Sequence, residues 1–202
     1  MSQVCSVRSA RTQRRMEKAT YSRDVKGNYH FYGTSKNDKI HVYRKNGKVQ
    51  VRINNREMTL SMEEAKKMTI HAGGGDDQVL LGDGLPRGIK VHGGSGNDRM
   101  INNSNGVKIN GGRGNDKIFN LGNRCHIKGG SGNDGVVSYG RRNTIDGGRG
   151  RDRVKANRGT RVRRAWDMNR ADGTRGRRGP QRRSANSFFA NVFKSLFKKL
   201  VG

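Results

Sequence analysis

The chain is poor in the residues that build an ordinary hydrophobic interior. Leu, Ile, Val and Phe together supply 37 of 202 residues, and the formal net charge is +27. So little apolar material under so much charge excludes a conventional large core, because its burial cannot offset the entropy of ordering the chain. Cysteine is scarce too: Cys5 and Cys125 are the two present, too few for a disulfide framework. No run of apolar residues approaches the length of a membrane span. The first residues, MSQVCSVRSARTQRR, lack the apolar stretch of a cleaved secretory signal, so any export is expected to read some other signal. Acids are also few, 16 against 43 Lys and Arg, and the basic excess concentrates in 1–23 and 141–183. Such flanks suit anionic partners: acidic lipid, nucleic acid, or an acidic export chaperone. They equally suit a solvated tail.

Glycine is abundant, at 30 residues. Its arrangement is periodic. GGSGND begins at Gly93, GGRGND at Gly111, GGSGND at Gly129 and GGRGRD at Gly147, each 18 residues after the last. A weaker copy, AGGGDD, starts at Ala72, and Gly33–Asp38 resembles a degenerate founder. With the first loop glycine as position 1, position 8 reads Val79, Met100, Ile118, Val136 and Val154. Position 17 reads Ile70, Val91, Ile109, Ile127 and Ile145, and position 15 gives Val107 and Cys125. Residues two apart on a strand share a face, so positions 15 and 17 point to one interior. Each period is therefore a glycine loop, a short strand, an Asn/Gly turn and a second strand. Stacked, such turns make an all-β parallel β-roll, or β-solenoid, of 18-residue turns.

The expected organisation is a basic flexible segment at 1–27, an irregular β capping region at 28–71, the roll at 72–164, a basic linker at 165–186 and an amphipathic helix at 187–202. Within the cap, 40–43 and 49–53 read as strands joined by a hairpin turn, and 58–68 as a short helix or irregular coil. The tail presents Phe188, Phe189, Val192, Phe193, Leu196, Phe197, Leu200 and Val201 on one side, with Lys194, Lys198 and Lys199 elsewhere. Three roles fit it: a cap on the open end of the roll, a membrane-active cationic helix, or an uncleaved export signal.

The loops carry the chemistry. Calcium takes six to eight oxygen ligands from carboxylates and carbonyls. Glycines allow a backbone to turn sharply and aim its carbonyls inward. One aspartate per turn, at Asp77, Asp98, Asp116, Asp134 and Asp152, forms a column at the strand spacing of about 4.8 Å. Without a cation those carboxylates repel. The competing reading is a metal-free solenoid whose aspartates form Asx turns with their own backbone. A phosphate cradle is excluded by the missing Lys-Ser/Thr after the glycines.

GGxGxDxUx, here GGSGNDRMI, GGRGNDKIF, GGSGNDGVV and GGRGRDRVK, resembles the haemolysin-type, or RTX, calcium-binding repeat over about 72–155. The resemblance implies a ligand set shared between successive loops. Gly93, Ser95 and Asp98 face Gly112, Gly114 and Asp116. Gly111, Arg113 and Asp116 face Gly130, Gly132 and Asp134. Gly129, Ser131 and Asp134 face Gly148, Gly150 and Asp152. Family members usually repeat the loop every nine residues and are acidic. Here the loop recurs once per 18, so one column of about four ions at most is expected, within a basic chain. The resemblance also implies a secreted protein that folds on calcium, acting as a small bacterial virulence factor by binding and not as an enzyme, with no small-molecule substrate. No catalytic constellation is seen. His71 and His92 precede their loops in one column that continues through Asn110, Lys128 and Asp146, which reads as solvent-facing and not as a metal site. Cys125, in register with Val107, reads as core.

Overall fold

In a computed structural model, residues 20–157 and 159–167 are described. The expected basic N-terminal segment lies mostly, and the linker and the 187–202 helix almost or wholly, outside those residues.

The described chain is nearly all β. Seventeen strands run as β1 (Thr20–Arg23), β2 (Tyr29–Tyr32), β3 (Lys39–Lys45), β4 (Lys48–Ile53), β5 (Arg56–Leu60), β6 (Thr69–Gly74), β7 (Gln78–Leu81), β8 (Lys90–Ser95) and β9 (Arg99–Asn102). They continue as β10 (Lys108–Arg113), β11 (Lys117–Asn120), β12 (His126–Ser131), β13 (Gly135–Ser138), β14 (Thr144–Arg149), β15 (Arg153–Ala156), β16 (Arg161–Arg163) and β17 (Trp166–Asp167). A four-residue helix, α1 (Met62–Ala65), precedes β6.

Even-numbered strands from β6 to β16 stack with β2 and β1 into an eight-stranded sheet. Odd-numbered strands from β7 to β17 stack with β3, β4 and β5 into a nine-stranded sheet. Within the repeats all pairing is parallel and in register: Ile109 lies beside Val91 and Ile127, Ile118 beside Met100 and Val136. This is the parallel roll that the 18-residue period requires. The founder copy belongs to it, since β2 pairs in parallel with β6 and the Gly33 amide donates to the His71 carbonyl at 2.8 Å.

The interior is a thin ladder. Val79, Met100, Ile118, Val136 and Val154 from one sheet meet Ile70, Val91, Ile109, Ile127 and Ile145 from the other, all buried. Ile89, Val107 and Cys125 fill the second line. Each such side chain contributes about 1.5–3 kcal/mol by burial, but one or two per strand is a slender supply.

The start of the roll is thicker. β3, β4 and β5 form an antiparallel meander in which Val42 faces Val51 and Val49 faces Leu60. The β3–β4 turn places Asn46 and Gly47 at φ 50° and 74°, the left-handed pair a two-residue hairpin needs. The meander also covers the edge that β7 would otherwise expose. Residues 58–68, expected as helix or coil, divide: Met58 and Leu60 complete β5, and the chain turns into α1 at Ser61. There the Ser61 hydroxyl accepts from the Glu64 amide while the Glu64 carboxylate accepts from the Ser61 amide, a reciprocal cap.

Candidate metal centre

Two successive strands of a turn meet at the glycine loop. Its glycines are there for conformation and for space. Gly94 and Gly96 sit at φ 117° and 121°, and the same two positions repeat at Gly112 and Gly114, and at Gly130 and Gly132. A side chain there is strained whatever the room. Gly93 has an ordinary φ, yet a Cβ on it would lie 2.2 Å from Asp98 Oδ2 and 2.3 Å from the Gly111 carbonyl oxygen. Gly111 repeats this against Asp116 Oδ2 at 2.2 Å and the Gly129 carbonyl oxygen at 2.3 Å. A carboxylate oxygen from one turn and a carbonyl oxygen from the next thus converge on the space that the missing side chain leaves.

The aspartates form a continuous buried column. Asp77, Asp98, Asp116, Asp134 and Asp152 are each 4% exposed or less. One oxygen of each is used structurally: Oδ1 accepts the amide of the aspartate one turn earlier, from Asp38 N→Asp77 to Asp134 N→Asp152, at 2.8–2.9 Å. The carboxylates therefore lock one turn to the next and do not close Asx turns on their own backbone. The other oxygen, Oδ2, has no hydrogen-bond partner in any of the five.

That arrangement is costly for an ionised group. Burial pushes Asp98, Asp116 and Asp134 up to about 6, against the hydrogen bond each accepts. Asp77 rises to about 8, first through burial and further through the neighbouring Asp98, Asp38 and Asp76 carboxylates. A column of desolvated like charges with a free oxygen on each member calls for cations. Among the described residues no three His, Cys, Asp or Glu side chains converge as a metal group. Here each turn supplies one carboxylate, and the remaining oxygens are carbonyls, a donor set suited to a hard ion such as calcium.

The column is closed at its first member. Asp38 accepts from the Thr34 amide (2.5 Å), the Thr34 hydroxyl (3.0 Å) and Asn54 Nδ2 (2.6 Å), so neither oxygen is left free. At the far end the loop is lost: Arg164 and Ala165 connect β16 to β17, where the register of the preceding turn holds the six residues 147–152. Arg164 instead pairs with Asp146.

The predicted residues fall as follows. Gly93, Ser95, Asp98, Gly112, Gly114 and Asp116 lie on two adjacent loops in register, as do the two sets that follow, through Gly148, Gly150 and Asp152. Cys125 is buried in the interior, with no exposed surface. His71 and His92 stack, ring centroids 5.3 Å apart. Sequence reasoning overlooked a second buried row, at the opposite edge. Asn102 Nδ2 donates to Asn120 Oδ1 (2.6 Å), Asn120 Nδ2 to Ser138 Oγ (3.0 Å), and Asn143 Nδ2 to the same Ser138 Oγ (2.8 Å). Asn at position 10 of two successive periods, where alternation points inward, is the signal that marks it.

A family model described as the RTX calcium-binding nonapeptide repeat matches the chain in four copies, over residues 69–84, 107–120 and 138–160. No curated protein and no solved structure matches it. The matched segments each span a strand, a glycine loop and the following strand of the column described above. Over those three stretches the roll therefore matches the RTX calcium-binding nonapeptide repeat.

Proposed function

We propose that this chain is a secreted protein whose roll is completed by calcium and which acts by binding, not by catalysis. The observation that carries this reading is the row of five buried Asp Oδ2 atoms with no partner. Calcium would supply the positive charge that the column lacks. Asp77, Asp98, Asp116, Asp134 and Asp152 would hold it, together with the loop carbonyls of Gly93, Ser95, Gly111, Gly112, Arg113, Gly114, Gly129, Gly130, Ser131, Gly132, Gly148 and Gly150. Five carboxylates enclose four gaps, which gives about four ions in one column.

The rest is done by the chain. The Oδ1 atoms hold the turns in register, the glycines keep the gaps open, and the thin Val/Ile ladder orders once the repulsion is neutralised. Binding energy then becomes folding energy. A protein of this kind stays loose in calcium-poor cytosol, fit for export, and orders in the calcium-rich medium outside. That supports a secreted bacterial effector.

A second reading rests on surface charge. Arg141, Arg142, Arg149, Arg151, Arg153, Arg161 and Arg163 are all exposed. Arg164 beside them pairs with Asp146. Such a surface suits an anionic polymer or membrane, with affinity that falls steeply as salt rises.

Calcium added to chelator-treated protein, followed by far-UV circular dichroism and calorimetry, tests the primary reading. A gain of β signal with about four ions bound supports it. A spectrum already β-rich, with no heat of binding, overturns it.

A further inference from the structure

Outside the aspartate column, the outer face of the eight-stranded sheet carries a group that no repeat motif explains. His30 and His71 sit on neighbouring strands, two register positions apart and so on one face, since His30 lies opposite Thr69 and His71 opposite Tyr32. Their nitrogens face one another: His30 Nδ1 lies 3.4 Å from His71 Nε2. The ring centroids are 5.7 Å apart and the planes differ by 18°. That separation is what results when two imidazoles point nitrogen to nitrogen.

Both rings are held. On its far side His30 Nε2 lies 3.5 Å from Asp24 Oδ2. Asp24 is itself anchored by the Asn28 amide (2.8 Å), Asn28 Nδ2 (2.7 Å) and the Lys26 amide (2.9 Å). A carboxylate on Nε2 fixes the proton there and leaves a lone pair on Nδ1, aimed at His71. His71 is sandwiched between Tyr32, with centroids 4.9 Å apart and planes 10° apart, and His92, at 5.3 Å and 12°. Burial and the neighbouring His92 and His30 push His71 down to about 4, so its ring is neutral at neutral pH.

We propose that His30 and His71 form a second metal site, for a borderline transition cation of the zinc, nickel or copper class, with Asp24 as the positioning residue behind His30. The spacing fits. A tetrahedral ion with bonds of about 2.0–2.1 Å holds its ligand nitrogens about 3.3–3.4 Å apart. Asp24, His30 and the ion make the carboxylate–histidine–metal line that orients imidazole ligands. Imidazole prefers such ions, whereas calcium prefers oxygen, so the two sites divide metals by chemistry. Without metal the His71 Nε2–H donates to His30 Nδ1. On binding, that proton moves to His71 Nδ1 and the ring stays neutral. Two protein ligands leave the remaining positions to water, an open site on the surface.

The test uses the full chain saturated with calcium and titrated with zinc alone. His30→Asn and His71→Asn are compared with His126→Asn, which removes an exposed histidine elsewhere on the same face. One zinc per chain is expected, with half-saturation moved at least about tenfold upward in the first two variants and unmoved in the third. Asp24→Asn is expected to weaken binding about tenfold while leaving one zinc per chain. Imidazole 15N shifts in the unmutated protein give a second readout, with His30 Nδ1 and His71 Nε2 the nitrogens that respond. Zinc uptake that is equal in all three histidine variants, or ring nitrogens that do not move, overturns the assignment.

Discussion

The two edges of the roll solve the same problem in opposite ways. Each turn must bury polar groups where the chain reverses. At the Asn/Gly edge, the amides and hydroxyls answer one another: Asn102, Asn120, Ser138 and Asn143 form a closed row, and Asn102 and Asn120 also cap the Ser104 and Gly122 carbonyls at 2.8 Å. At the loop edge, five carboxylates each keep one oxygen without a partner. An amide carries both donor and acceptor, so a stack of amides closes on itself. A carboxylate only accepts, so a stack of carboxylates needs a donor or a cation from outside. In the proposed reading, this difference makes one edge a fixed part of the turn and the other a calcium switch.

Removing charge from the switch has the largest expected effect. In Asp116→Asn with Asp134→Asn, the amide oxygen still accepts the neighbouring backbone N–H, while the repulsion and the calcium ligands are both lost. Order without calcium is expected to rise, and the calcium-induced change in circular dichroism to shrink by at least half. A full calcium response in this variant would break the comparison.

Acid should mimic that substitution. Unfolded, these aspartates titrate near their ordinary value of 3.8; folded and metal-free, Asp98, Asp116 and Asp134 titrate near 6 and Asp77 near 8. The folded state therefore binds more protons between those values, so metal-free stability falls as pH rises from about 4 to about 8. Protons and calcium compete for the same oxygens. Calcium affinity is expected to drop below about pH 6, and binding at pH 7 to release protons, measurable by calorimetry in buffers of different ionisation enthalpy. A flat metal-free melting temperature between pH 5 and 8 contradicts this.

Glycines sharpen the contrast within one loop. Gly111→Ala drives a methyl into Asp116 Oδ2 and the Gly129 carbonyl, and should abolish ordered calcium binding at that gap. Gly135, one residue past the loop, has space around it, its nearest neighbour being the Asp116 carbonyl at 4.0 Å. Gly135→Ala is expected to be neutral or to stabilise the strand by about 0.5–1 kcal/mol, read from thermal melts. At the other edge, Asn120→Ala removes the acceptor of Asn102 Nδ2 and one of the two donors to the Gly122 carbonyl, leaving Asn143 as the other, and should cost about 1–3 kcal/mol while leaving calcium affinity unchanged. The smallest effect belongs to Arg164→Ala. It breaks a surface pair with Asp146 and should move the melting temperature by no more than about 2 °C.

Much of this was legible in the sequence because the period is strict. Val, Ile and Met at positions 8 and 17 mark the interior, and the repeated Asp marks the column. Asn46-Gly47 marks the hairpin. Other features depend on where the chain goes in space. Asn54 closes Asp38 only because the meander returns its turn to the start of the column. His30 meets His71 only because the founder turn stacks under the first full one, and their spacing of 41 residues belongs to no repeat. β5 extends the meander because Met58 and Leu60 find Val51 and Val49, a pairing that local propensity does not announce.

Amide hydrogen exchange with and without calcium tests the central claim most directly. Without calcium, the amides of Asp98, Asp116 and Asp134 are expected to exchange freely while those of Val42 and Val51 in the meander stay protected. With calcium, all should be protected. Equal protection of the aspartate amides in both conditions would mean that the loop edge closes by itself, and would contradict the account.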